Sequence, residues 1–155
     1  MKDSGSKLRL AYYEASDGPR VMMFGPIDVD LGSLQDVFRM LATTPGKSVE
    51  LEKMPFVVPF DGVRIRLSCP APTPHGHKVG REGVVRIEGL SGPAFDWICA
   101  AEAWDDLVEV LDPVIRSEGP CHQYLTDFTS DGVPGDATVV VSKGEYADDV
   151  VRNSQ

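Results

Sequence analysis

The chain has 155 residues, of which 42% are hydrophobic and 25% are charged, a composition typical of a globular domain and not of a disordered chain. Its formal net charge of −9 disfavours binding to nucleic acid or to anionic membrane surfaces, because both depend on clustered lysines and arginines. We therefore expect a single domain over residues 1–155, with mobile polar tails at 1–6 and 147–155.

The N-terminal part predicts a hairpin followed by a helix. Leu8, Leu10 and Tyr12 alternate with other residues at the period of a half-buried strand. After a turn at 16–19, residues 21–24 form the returning arm. Asp30 is a suitable N-cap for the next segment. That segment carries an apolar stripe at helical spacing: Leu31, Leu34, Val37, Phe38 and Leu41.

The middle of the chain predicts strands separated by proline-rich breaks. Val49 and Leu51 begin a strand block, which Pro55 and Pro59 interrupt. Residues 63–68 then alternate most cleanly, with apolar residues on one face and Arg64, Arg66 and Ser68 on the other. Further strands are expected at 84–87 and 95–99, after a long loop with three prolines.

The C-terminal part predicts a second helix and two strands. The helix carries one apolar stripe, and Pro113 either kinks it or ends it at Leu111. Strands at 121–125 and 137–142 flank a loop rich in Gly, Pro and Asp. Long β-α-β alternation is missing. We therefore predict an α+β fold: a single antiparallel or mixed sheet of about five to seven strands, with two amphipathic helices packed on one face.

The three cysteines, Cys69, Cys99 and Cys121, cannot all pair within one chain. Residues 1–9 lack a hydrophobic run, and no segment reaches the ~18 apolar residues of a membrane helix. These features predict a cytoplasmic protein whose cysteines are core residues or free thiols.

One candidate metal site lies in the proline-rich loop. Cys69, His75 and His77 supply a thiol and two imidazoles, and residues two apart in an extended loop project to the same side. The spacing matches no closed zinc motif, so the alternative is a solvated histidine loop.

A second candidate site combines residues from different strands. His122 and Tyr124 are two apart on one strand and share a face, whereas Cys121 and His122 point to opposite faces. With Arg64 and Arg66 they form a hypothetical polar cluster on the open face of the sheet, which suits an anionic small ligand or acid–base chemistry. The alternative is that they are ordinary solvent-facing residues.

The charge is unevenly distributed. Residues 62–86 hold five basic side chains and one acidic one, a local balance of +4, so the rest of the chain carries −13. No glycine-rich phosphate loop, H-E-x-x-H or G-x-S-x-G motif is present, and we expect no cofactor and assign no catalytic residue.

In size, charge and fold class the chain resembles the immunity and accessory proteins of bacterial toxin systems. This likeness favours a non-catalytic protein-binding module, which would use its acidic surface and the loops at 70–80 and 127–135 to bind another protein. The alternative is a small anionic-ligand binder or enzyme that uses Arg64, Arg66, His122 and Tyr124.

Overall fold

The computed structural model describes residues 5–16, 18–71, 83–126 and 136–146. Within these ranges the chain forms two α-helices, α1 and α2, and nine strands, β1 to β9. In chain order they are β1 (Leu8–Ala15), β2 (Gly18–Gly25), α1 (Leu31–Thr43), β3 (Ser48–Glu50), β4 (Val57–Pro59), β5 (Arg64–Ser68), β6 (Gly83–Arg86), β7 (Ala94–Ile98), α2 (Ala101–Arg116), β8 (Cys121–Tyr124) and β9 (Thr138–Lys143).

The strands form two sheets, which corrects the expectation of a single sheet within the α+β class. One sheet has the order β4-β1-β2-β9-β8, and the other has the order β3-β5-β7-β6. Both are mixed: β1 pairs with β2 antiparallel and β2 with β9 parallel, while β5 pairs with β7 parallel. Over the described strands the chain crosses between the sheets four times, and one crossing is at the 3-10 turn Leu51–Lys53, because β3 pairs with β5 and β4 pairs with β1.

Both helices follow their predicted apolar stripes. The Asp30 carboxylate accepts a hydrogen bond from Ser33 N at 3.0 Å, as an N-cap should. The five stripe residues of α1 are all buried. Helix α2 continues through Pro113 to Arg116 and does not end at Leu111. Neither described helix is long and apolar enough to cross a membrane.

One core lies between the inner faces of the two sheets and the apolar sides of the helices. At its centre the rings of Trp97 and Trp104 lie 5.0 Å apart, and both contact Phe38 of α1. Tyr12 and Phe95 join the two sheets, with ring centroids 5.5 Å apart. Outside the helices, this core includes the buried side chains of Val63, Ile65, Leu67, Trp97 and Val139, and Ile87 is half-buried.

A smaller apolar cluster covers part of the opposite, outer face of the five-stranded sheet. It consists of Ala11, Met22, Phe24 and Phe60, with Tyr13 packed against it. Strand β2 is therefore buried on both faces, since Val21 and Met23 belong to the main core. Polar side chains surround this cluster on the same outer face.

Candidate functional site

Strand register sets the layout of the outer face of the five-stranded sheet. Residues directly opposite one another across β1, β2, β9 and β8 point to the same side. The pairing aligns three rows on this face: Arg9, Phe24, Ser142 and His122; Ala11, Met22, Val140 and Tyr124; and Tyr13, Arg20 and Thr138. We call six residues on and beside these rows the tyrosine face: Tyr13, Arg20, His122, Tyr124, Glu145 and Tyr146.

A histidine–glutamate pair lies at one corner of the tyrosine face. His122 Nδ1 is 3.0 Å from Glu145 Oε1 and 3.1 Å from Oε2. Ser142 Oγ donates a hydrogen bond of 2.7 Å to Glu145 Oε1. The pair leaves Nε2 of His122 directed away from the carboxylate, on a side chain that is 49% exposed.

This group is not a serine-hydrolase triad. Such a triad needs the serine hydroxyl against the histidine ring, with the carboxylate behind the histidine. Here Ser142 donates to the carboxylate itself and is fully buried. Ser142 therefore positions Glu145 and is not available as a nucleophile.

Arginine and tyrosine side chains form the rest of the face. The Arg20 guanidinium lies 5.4 Å from the centroid of the Tyr124 ring, a cation–π contact, and its NH1 lies 3.5 Å from the Tyr13 hydroxyl. The rings of His122 and Tyr124 pack edge to face at 6.0 Å. Tyr146 follows Glu145 in the chain and is 39% exposed.

The pKa values of Glu145 and Tyr146 describe an ionised carboxylate beside a neutral phenol. Burial of Glu145 raises the pKa of its carboxyl. The contacts with Ser142 and His122 together lower this pKa by more than burial raises it, so it lies below its ordinary value. Burial, and after it the Glu145 charge, raises the pKa of the Tyr146 hydroxyl. Tyr13, Arg20 and Tyr124 have smaller electrostatic effects on the same pKa. At neutral pH the face therefore holds an ionised Glu145 carboxylate beside a neutral Tyr146 hydroxyl.

Arg64 and Arg66 are not part of this face. They lie on β5 of the four-stranded sheet, whereas His122 and Tyr124 lie on β8 of the other sheet. Arg66 forms a two-point contact with Asp96, at 2.7 and 2.9 Å, and Arg64 donates to Ser91 O. The prediction from the sequence placed these two arginines on the same sheet face as His122 and Tyr124. That placement assumed a single sheet, and the two-sheet arrangement corrects it. Their role in binding a ligand stays a prediction.

The predicted metal site falls mainly outside the described residues. His75 and His77 belong to the undescribed part of the chain, as does most of the acidic loop at 127–136. Cys69 is buried, and burial followed by the charge of Glu102 raises the pKa of its thiol. In the described ranges no group of three His, Cys, Asp or Glu residues is placed to hold a metal. The metal site stays a prediction.

Arg86 of the predicted basic segment joins the two sheets. Its guanidinium lies over the rings of Tyr12 and Phe95 and donates to the Tyr12 hydroxyl at 3.1 Å. Its backbone N–H donates to Asp136. The Arg86 guanidinium is therefore engaged in contacts within the protein.

No protein-family model, curated protein or solved structure matches this chain.

Proposed function

We propose that the chain is a non-catalytic protein-binding module that uses the tyrosine face to bind a basic segment of a partner protein. One observation carries the proposal: three tyrosines, an arginine and a histidine–glutamate pair converge on one sheet face. Tyrosine and arginine are enriched at the energetic centres of protein interfaces.

The side chains of the face are held in place before any partner arrives. Arg20 is fixed over Tyr124, and His122 is fixed between Glu145 and Tyr124. Association costs about 0.5–1.5 kcal/mol for each flexible side chain that must be immobilised. Contacts within the face reduce this cost, which supports its use as a binding surface.

Charge supports a basic partner. The chain carries −9 overall, and Glu145 remains ionised beside the exposed ring of Tyr146. An arginine of the partner would stack on Tyr146 and reach the Glu145 carboxylate, repeating the contact of Arg20 with Tyr124. Long-range attraction would speed the encounter and weaken as salt rises.

The test measures the affinity of the full chain for a nona-arginine peptide at about 0.15 M salt. We expect Tyr146→Ala and Glu145→Gln each to weaken binding by about three- to tenfold. The matched control is Glu109→Gln, which removes one exposed carboxylate from α2 and so has the same net charge as Glu145→Gln. Equal losses for Glu145→Gln and Glu109→Gln would show that bulk charge alone drives binding and would overturn the proposal.

A second candidate function is the binding of a small anion on the same face. The observation that favours it is the placement of Arg20 beside the hydroxyl of Tyr13 and the ring of Tyr124. Titration with inorganic phosphate, followed by NMR of the His122 ring, tests it. Saturable shifts that Arg20→Gln abolishes would support anion binding over the basic partner, and linear, unsaturated shifts would exclude it.

A further inference from the structure

Cys69 and Cys99 occupy equivalent positions at the ends of two neighbouring strands. The parallel ladder between β5 and β7 runs from Arg64 opposite Ala94 to Ser68 opposite Ile98. It continues for one more step, because Cys99 N donates to Ser68 O at 3.1 Å. The next residues along the two strands, Cys69 and Cys99, therefore lie opposite one another.

Both thiols point to the same side of the sheet. Cys69 continues the inward-facing row of Ile65 and Leu67 and is buried in the main core. Cys99 continues the row of Phe95 and Trp97 and packs against that core. Neighbouring strands are about 4.8 Å apart. A disulfide accepts Cα separations of about 4.4–6.8 Å, so this placement brings the two cysteines within bridging range.

We propose that Cys69 and Cys99 form a redox-active dithiol, which hydrogen peroxide converts into a disulfide between β5 and β7. Neither of these two cysteines is disulfide-bonded in the structure. This site is separate from the tyrosine face, which lies on the other sheet, so the two proposals fail or succeed independently.

The exposure of the two thiols sets the order of the steps. Cys69 is 1% exposed, whereas Cys99 is only partly buried, so peroxide reaches Cys99 first. The Cys99 thiolate attacks one peroxide oxygen and the O–O bond breaks, which gives a sulfenic acid and, after proton uptake, one water. The Cys69 sulfur then attacks the Cys99 sulfur, and the S–O bond breaks. The hydroxide that leaves takes the Cys69 proton as a second water, so two thiols are oxidised by two electrons and one peroxide is reduced.

Both tryptophans of the chain lie next to this pair. Trp97 is two residues before Cys99 on the same face of β7. Trp104 Nε1 donates to Ser68 O, the carbonyl that also accepts from Cys99 N. Formation of the disulfide should therefore change the intrinsic tryptophan fluorescence of the folded protein.

The primary test is a non-reducing peptide map of the full wild-type chain, after peroxide treatment and alkylation of the remaining thiols. We expect a Cys69–Cys99 crosslink, a loss of two hydrogens in mass, an alkylated Cys121 and full reversal by dithiothreitol. The crosslink closes a long loop of the unfolded chain, so the midpoint of thermal unfolding should rise by about 5–10 °C.

Two variants separate the steps. Cys99→Ser should abolish the crosslink, while Cys69→Ser should leave a Cys99 sulfenic acid that dimedone traps. Cys121→Ser is the matched control and should retain the crosslink. Alkylation of both Cys69 and Cys99 after peroxide treatment of wild-type protein, or a crosslink that involves Cys121 instead, would overturn the proposal without reliance on any variant.

Discussion

His122 Nδ1 lies 3.0 Å from Glu145 Oε1, which ties edge strand β8 to the turn that follows β9. Ser142, directly opposite His122 in the ladder, donates to the same carboxylate oxygen. Three residues from two strands and a turn thus fix one corner of the tyrosine face. The neighbouring ring of Tyr124 is oriented by His122 on one side and by Arg20 on the other.

The Glu145 carboxylate should make stability depend on pH in the acid range. Its pKa in the folded chain is below the ordinary value of 4.5. Its stabilising contribution is therefore complete above that ordinary value and is lost as pH falls through the lower folded value. Wild type should have a higher unfolding midpoint than Glu145→Gln at pH 7, and the difference should shrink below about pH 4.5.

Glu109→Gln is the control for that experiment, because it removes one exposed carboxylate from α2. Thermal unfolding between pH 7 and pH 3 gives the comparison. A difference between wild type and Glu145→Gln that stays constant over this range would contradict the assigned hydrogen bonds.

Phe38→Ala should be among the most destabilising single changes in the core. Phe38 is fully buried and contacts both Trp97 and Trp104. Removal of a buried aromatic ring costs about 3–5 kcal/mol through lost burial and the cavity that remains. Leu90→Ala, at a side chain that is 48% exposed, should change stability by less than about 0.5 kcal/mol. Urea unfolding measures both, and similar losses for the two variants would contradict the assigned core.

Lys143→Met should destabilise the fold by about 1 kcal/mol. Lys143 is buried, and its ammonium donates to Ile115 O at 3.0 Å in the last turn of α2. A cation at this end of a helix interacts favourably with the helix dipole. Methionine keeps the apolar stem and removes the charge. Urea unfolding of the variant tests this, and unchanged or increased stability would mean that the cost of burying the ammonium exceeds its benefit.

The sequence predicted the elements better than their arrangement. The stripe of α1, its N-cap and the alternation of β5 are local patterns, and each is confirmed in the structure. The division into two sheets could not be predicted, since alternation identifies residues that share a face and not the strand that pairs with them. The chain passes from β3 of one sheet to β4 of the other through the 3-10 turn Leu51–Lys53, which no apolar pattern marks.

The tyrosine face was predicted only in part. His122 and Tyr124 share a strand and a face, as their spacing indicated. Arg20 and Tyr13 reach them through the β1–β2 hairpin and the parallel pairing of β2 with β9, a contact between distant parts of the chain. If the strand pairing is counted outward from the turn before Gly18, Tyr13 lies opposite Arg20, so this one contact could have been predicted from the sequence. No pattern in the sequence indicated that Glu145 and Tyr146 complete the face.

The central claim is that the tyrosine face binds a basic segment. The most direct test is to map, by NMR of the protein, where the nona-arginine peptide binds. The surface that competes with the tyrosine face is the outward side of α2, where Glu102, Asp105, Asp106 and Glu109 are exposed. Binding to the tyrosine face predicts the largest backbone amide shifts at Tyr13, Arg20, His122, Tyr124 and Tyr146. Shifts concentrated along α2, with those five amides unchanged, would contradict the account.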